Sequence, residues 1–181
     1  MVNWKSISKK SLGKYRIFEI FEEILINPRN SYKHKFYYLD LSDWTVIVPV
    51  TKNKEIVMIK QFRVAAKKTF YEFPGGLIDK DETPIDAAKR EMLEETGYDT
   101  KNIKFLAEGY PIPAFQTSKC TLFLATDCTK KDVQKLDEAE NIEVVLFSIE
   151  EVKEMFYNNK LDNAIMSWAF ALFLLKFHLI D

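Results

Sequence analysis

Apolar residues recur along this chain in short runs broken by turn residues, and the period of the runs changes along the sequence. Strand-like segments fall at about 16–25, 32–41, 44–51, 55–62 and 69–73, and again near 103–109, 119–126 and 142–148. Helical spacing marks about 84–96, 149–157 and 162–177. The runs WTVIVPVT (44–51) and EIVMIKQF (55–62), separated by the polar Lys52-Asn53-Lys54, predict a hairpin or adjacent strands. Asn27-Pro28-Arg29-Asn30 is the clearest turn in the first forty residues, joining two strands that alternate aromatic and polar side chains. This order predicts an α/β (α+β) sandwich with a mixed sheet between helices and an antiparallel sheet at the N-terminus. The apolar stretch from Ala164 to Leu175 ends at Lys176 and His178 and falls short of the roughly 20 residues that span a bilayer, so it predicts a buried terminal helix.

The segment 76–98, GLIDKDETPIDAAKREMLEETGY, holds the strongest chemical signal. Thr83 followed by Pro84 is a helix start, because the hydroxyl accepts from free N–H groups and proline lacks a donor where none is needed. Gly97 tolerates the left-handed conformation common just past a helix end. At about 100° per residue, Glu91, Glu94 and Glu95 share one side of this helix, and Ile85, Ala88, Met92 and Thr96 another. An acidic side separate from a core side is the expectation. Stacked carboxylates repel one another and invite a cation, and an oxygen-only face suits Mg²⁺ or Mn²⁺ better than zinc. Arg90 is positioned to pair with Glu94 or Glu82 and steady the cluster. Upstream, the Phe70–Phe73 strand stops at Pro74-Gly75-Gly76, a loop irregular enough to bring the Gly75 carbonyl to the same metal.

Composition narrows the function classes. The chain has 181 residues, 47% apolar, and a formal net charge of −1, which fits one globular domain or one domain with a small extension. The near-neutral balance and the lack of a basic run or zinc-type Cys/His pattern argue against a nucleic-acid binder. The N-terminal MVNWKSISKKSLGKY has no apolar signal region, so a cytoplasmic, membrane-free protein is expected. Cys120 and Cys128 read as free thiols, and the isolated His34 and His178 as surface or core residues, which disfavours histidine-based catalysis.

Gly76, Glu82, Arg90, Glu91, Glu94, Glu95 and Gly97, with the apolar slots Met92 and Tyr98, fall at the spacing of the Nudix box, and the chain is identified by them as a resemblance to the Nudix hydrolase superfamily. IKQFR before the box, EFPGGLID into it, YPIPAFQ after it, LDEAENIEV and LDNA resemble the branch that hydrolyses ADP-ribose and nucleotide-diphosphate sugars. The resemblance implies metal ligands at Glu91, Glu95 and the Gly75 carbonyl, with Glu94 behind them or on another metal. It implies catalytic roles around Glu94 and Arg90, and substrate contacts at Arg63, Glu72, Pro113 and Gln116. It puts the general base in the loop before the strand Ile142–Phe147, at Glu140 or, failing that, Glu138. It further implies a homodimer, with residues 1–42 as an antiparallel dimerisation subdomain and 43–181 as the hydrolase domain. Gln116-Thr117-Ser118-Lys119 lacks the acidic residue that ADP-ribose enzymes often carry here, and PAFQ looks nearer to enzymes acting on hexose nucleotides such as GDP-mannose.

The chemistry expected is cleavage of a phosphoric anhydride: a divalent cation offsets its negative charge and acidifies a bound water, and a carboxylate takes the proton. The products are a nucleoside monophosphate and a sugar phosphate. A non-catalytic nucleotide-sugar sensor and a nucleoside-triphosphate sanitiser are the alternatives at this stage. The absence of a P-loop disfavours ATPase or kinase chemistry of that type.

Overall fold

The computed structural model describes residues 3–176, which form two compact units. The first comprises the chain up to Asp43 together with Tyr110–Lys119; the second comprises Trp44–Gly109 and the chain from Cys120 onward. His178 lies outside the described residues.

In the first unit, β1 (Lys5–Lys14), β2 (Phe18–Ile26) and β3 (Lys33–Leu41) form an antiparallel sheet in the order β1-β2-β3. The β2–β3 turn falls at the Asn-Pro-Arg-Asn signal: the Ser31 N–H donates to Asn27 O at 2.9 Å, and the Asn27 side chain accepts from the Arg29 N–H. β1 has no counterpart in the sequence reading, because KSISKKSLGK offers only Ile7 and Leu12 to an apolar pattern. The segment Tyr110–Lys119 joins this sheet through backbone bonds that have no apolar signature. The Leu39 N–H donates to Phe115 O at 2.8 Å, and the Thr117 N–H to Leu39 O at 3.0 Å.

The second unit is built on β4 (Trp44–Thr51), β5 (Glu55–Arg63), β6 (Lys68–Glu72), β7 (Gly75–Leu77), β8 (Tyr98–Asp99), β9 (Asn102–Gly109), β10 (Cys120–Lys130) and β11 (Ile142–Ser148). The main path runs β11-β5-β4-β10-β8, with β6 on β5, β7 on β4 and β9 on β10. β4 and β10 are parallel and the other pairs antiparallel, giving the mixed sheet expected. β4 is buried from Thr45 to Thr51, as a strand covered on both faces must be.

Alternation along β4 divides the core. Ile47 packs with Ala88 and Met92 of α1 (Pro84–Thr96) and with Phe123 and Ala125 of β10. Val46, Val48 and Val50 point the other way, into a cluster with Val152 of α2 (Ile149–Tyr157) and Phe170 and Phe173 of α3 (Ala164–Lys176). Helices therefore cover both faces, an α/β/α sandwich. α3 is the apolar terminal helix expected, and among the described residues no helix is long and apolar enough to cross a membrane. Both cysteines are free and buried.

One local expectation is corrected. Pro74-Gly75-Gly76 is not an irregular loop throughout: Gly75, Gly76 and Leu77 form β7, paired with Val46, Thr45 and Trp44. A short run with two glycines carries no strand pattern, and pairing with the buried β4 overrides that weak local preference.

Candidate active site

The acidic helix starts and stops where its caps dictate. The Thr83 side chain accepts from the Asp86 N–H, Pro84 occupies the first turn, and Gly97 sits at φ 71° with its N–H on Leu93 O. A side chain at Gly97 would meet the Asp132 carbonyl at 2.2 Å, so glycine is required on both conformational and steric grounds.

Along this helix the acidic and core sides are less separate than the angular reading implies. Glu95 is only 3% exposed and is counted among the buried residues of α1, whereas Ile85 is exposed. The Glu95 carboxylate accepts from the Gly75 N–H at 2.9 Å. Glu91 lies against Gly76, where an added Cβ would come within 2.2 Å of its Oε1. A Cβ on Gly75 would come within 2.1 Å of the Thr45 carbonyl oxygen. The two glycines thus let β7 lie between β4 and the two carboxylates.

Arg90 organises the outer carboxylates. Its Nε and Nη2 donate to Glu82 at 3.0 and 2.9 Å, its Nη1 to Glu91 at 2.8 Å and Glu94 at 3.2 Å, and Nη2 also reaches Leu77 O. Hydrogen bonds from Arg90 hold the Glu82 carboxyl below its ordinary range, and the pairing with Glu82 raises the guanidinium in turn. Both expected partners of Arg90 are engaged, and Glu91 as well.

Inside this ring, the charge of Glu95 is the least compensated. Burial pushes the Glu95 carboxyl up to about 8, against the lowering effect of the Gly75 N–H, and the charges of Glu91 and Glu140 add to the rise. Burial also raises Glu91, offset by Arg90 and reinforced by Glu94 and Glu140. Among the described residues, no three His, Cys, Asp or Glu side chains are gathered closely enough to enclose a metal ion as they stand. The donor set nevertheless suits a hard dication: carboxylate oxygens, with Glu95 shut off from solvent and Glu91 half-buried beside it.

The loop before β11 reaches the site by docking on the end of α1. A helix end leaves carbonyls without internal partners. Here Glu94 O accepts from the Lys135 N–H, Glu95 O from Gln134 Nε2 at 2.7 Å and Thr96 O from Lys130 Nζ at 2.7 Å. Gln134 Nε2 also reaches Ile142 O at 3.2 Å. The turn that follows is closed by the Asp137 N–H on the Glu140 carboxylate at 2.9 Å and the Glu140 N–H on Asp137 O. The charge of Glu140 is felt at both Glu91 and Glu95; Glu138 is exposed at the turn.

A cleft of about 550 Å³ opens beside β7, lined by Trp44, Arg63, Phe70, Glu72, Gly75 and Asn163 among others. Glu72, fully buried, accepts from Arg63 Nε at 3.0 Å and from Asn163 Nδ2 at 2.9 Å. Arg63 and Glu72 are therefore brought together next to Gly75, and Arg63 is close enough to lower the Glu95 carboxyl slightly. Pro113 and Gln116 belong to the first unit, where they line a smaller cleft of about 290 Å³ with Leu25, Phe36 and Tyr38. Residue-level reading missed Asn163 and Gln134. Asparagine just before an apolar helix is a cap signal that marks Asn163; nothing in the sequence marks Gln134.

A model of the NUDIX domain matches residues 41–168. The chain belongs to the NUDIX family. This NUDIX chain is 29% identical to the ADP-ribose pyrophosphatase of Bacillus subtilis (strain 168) over 178 residues, 95% of this chain and 96% of that protein. It is 32% identical to the GDP-mannose pyrophosphatase of Escherichia coli (strain K12 / DH10B) over 119 residues, 61% of this chain and 62% of that one. A crystal structure of an ADP compounds hydrolase shares its fold, with a TM-score of 0.84 over 99% of this chain and 95% of that chain at 21% identity.

Glu95 gives a prediction with a definite sign. Below about pH 4.5 the carboxyl is neutral in folded and unfolded chains alike; as pH rises toward 8 only the unfolded chain ionises freely, so this group's share of stability is progressively lost. In EDTA, Glu95→Gln should melt a few °C above the native protein at pH 8 and with little difference near pH 4.5. Differential scanning calorimetry across that range checks it; a pH-independent difference would refute the burial argument.

Proposed function

We propose that this NUDIX chain hydrolyses the diphosphate linkage of a nucleoside diphosphate sugar of the ADP-ribose or GDP-mannose type, releasing a nucleoside monophosphate and a sugar phosphate. The observation that supports it most is the meeting, around β7, of the half-buried Glu91 and the buried Glu95 with a cleft that contains Arg63. The ADP-ribose and GDP-mannose pyrophosphatases among its relatives favour the same reading.

Glu91, Glu95 and the carbonyl of Gly75 would hold Mg²⁺ or Mn²⁺, with Glu94 at the margin. Bound there, such a cation would offset anhydride charge and acidify a water. Arg63 presents a planar donor group to the phosphate oxygens, and its rigid pairing with Glu72 sets the direction of that group. Arg90 ties Glu82, Glu91 and Glu94 into one arrangement and limits their mutual repulsion. Glu140 takes the proton from the attacking water; its charge already acts on Glu91 and Glu95, and it lies nearer to β11 than the exposed Glu138. Pro113 and Gln116 are assigned to substrate contact, and the absence of an acidic residue at 116–119 favours a hexose nucleotide such as GDP-mannose.

The chain acts as a homodimer through residues 1–42, in a reducing compartment such as the cytoplasm that suits free Cys120 and Cys128. Trp4, Tyr15, Ile17, Tyr32 and Tyr37 are exposed on or beside the three-stranded sheet, more aromatic surface than a small sheet ordinarily leaves in water.

Incubation with ADP-ribose, GDP-mannose, UDP-glucose and deoxynucleoside triphosphates should yield monophosphate from a sugar nucleotide only when a divalent cation is present. Glu140→Gln should lower kcat by about 10²–10⁴-fold, and Glu138→Gln by no more than a few-fold. Undiminished turnover in excess EDTA contradicts the cofactor; the reverse ranking of the two variants moves the base to Glu138.

Light scattering of the full chain should give twice the monomer mass, and removal of residues 1–42 should abolish the dimer. A monomeric full-length protein contradicts this assignment.

A further inference from the structure

Two adjacent residues of the loop between α2 and α3 grip the β5–β6 hairpin on either side of Arg63. Asp162 pairs with Lys68, the residue directly opposite Arg63 across the two strands. Asn163 donates to Glu72, the carboxylate that Arg63 also binds. The first pair is half-exposed and contributes little. The second contact is of a different kind, because Glu72 is fully buried and a buried carboxylate needs donors on its remaining oxygen sites.

The geometry divides the work on Glu72. Arg63 approaches Oε1 and Oε2 through Nε at 3.2 and 3.0 Å, and Oε2 also receives Nη2. Asn163 Nδ2 takes Oε1 at 2.9 Å. The carboxylate is thereby fixed from two directions, and a planar guanidinium docked on a fixed carboxylate has its own plane fixed. Asn163 is itself tethered: its Oδ1 accepts from the Ile165 N–H at 3.1 Å, and its backbone carbonyl accepts the first bond of α3 from the Ser167 N–H. Both ends of its amide are used, one to start a helix and one to hold Glu72.

We propose that Asn163 is a positioning residue for substrate binding, which transmits the rigidity of the α3 start through Glu72 to Arg63 at the mouth of the cleft. The proposal rests on the reading of Arg63 as a contact to the substrate diphosphate. Asn163 touches no reacting atom in this scheme. It sets where the guanidinium points before substrate arrives, so its loss weakens binding in ground state and transition state alike, which is the signature of a KM effect.

Substitution can separate this role from the helix cap. Asn163→Asp keeps an Oδ acceptor for the Ile165 N–H but replaces the donor to Glu72 with a second carboxylate. Asn163→Ser keeps a capping hydroxyl and shortens the reach to Glu72. Steady-state hydrolysis of ADP-ribose and GDP-mannose with Mg²⁺ should show KM raised about tenfold by Asn163→Asp and less by Asn163→Ser, with kcat within about threefold of the native value. In an Arg63→Ala background, the same Asn163 substitutions should leave KM unchanged, since the group they position is gone. Should Asn163→Asp fail to fold, Asn163→Ser bears the same test alone.

A native KM in the single variants, or an equal KM rise with and without Arg63, overturns the proposal while the native enzyme's activity still stands. A native protein that hydrolyses neither compound overturns the functional reading, and this one with it. A fall in kcat at constant KM also overturns it, because that would place Asn163 in the chemical step.

Discussion

Glu95 is a carboxylate held out of water against the backbone of β7, and much of the site follows from how that is achieved. A buried carboxylate with one backbone N–H as its described donor is costly to ionise, and the neighbouring Glu91 and Glu140 make it costlier. The fold accommodates it by thinning the adjacent strand to glycine: Gly75 and Gly76 have no side chain to collide with Thr45 on one side or Glu91 on the other. Core packing alone would favour an apolar residue at position 95, beside the helix face that buries Ala88 and Met92. Local conflict with packing of this kind is what a functional site looks like in an otherwise consistent sequence.

Around that conflict the remaining parts are stiff. Arg90 gathers three glutamates, and the C-terminal carbonyls of α1 are capped by the segment that also carries Glu140. Capping and delivery of the proposed base are therefore one structural event: a substitution that frees the loop would also expose helix carbonyls. On the other side of β7, Glu72 fastens Arg63 to the α3 start. The carboxylates proposed for the chemistry and the Arg63–Glu72 pair proposed for recognition are thus held by hydrogen bonds to helices and strands, which is the condition for preorganisation.

Much of this was legible in the residues. The bounds of α1 follow from Thr83-Pro84 and Gly97, and β4, β11 and α2 from apolar runs with clear stops. β1 was not legible, since a strand exposed along most of its length needs no apolar alternation. β7 was not legible either, because its pairing is imposed by β4. Helical angles place Glu95 with Glu91 and Glu94, yet its depth depends on which neighbours cover it, and β7 is a distant segment in sequence. The Gln134 side-chain bond to a carbonyl of α1 and the backbone attachment of Tyr110–Lys119 to β3 are likewise long-range contacts without a compositional trace.

The buried Glu95 and the half-buried Glu91 together leave negative charge that a bound dication would offset. Isothermal titration of Mn²⁺ into the native protein at pH 7, repeated in buffers of different ionisation enthalpy, tests it most directly, because a carboxyl that titrates near 8 must shed its proton when a cation binds. Release of close to one proton per bound cation is expected, and none from Glu95→Gln. Tight binding with no proton release by the native protein would contradict it.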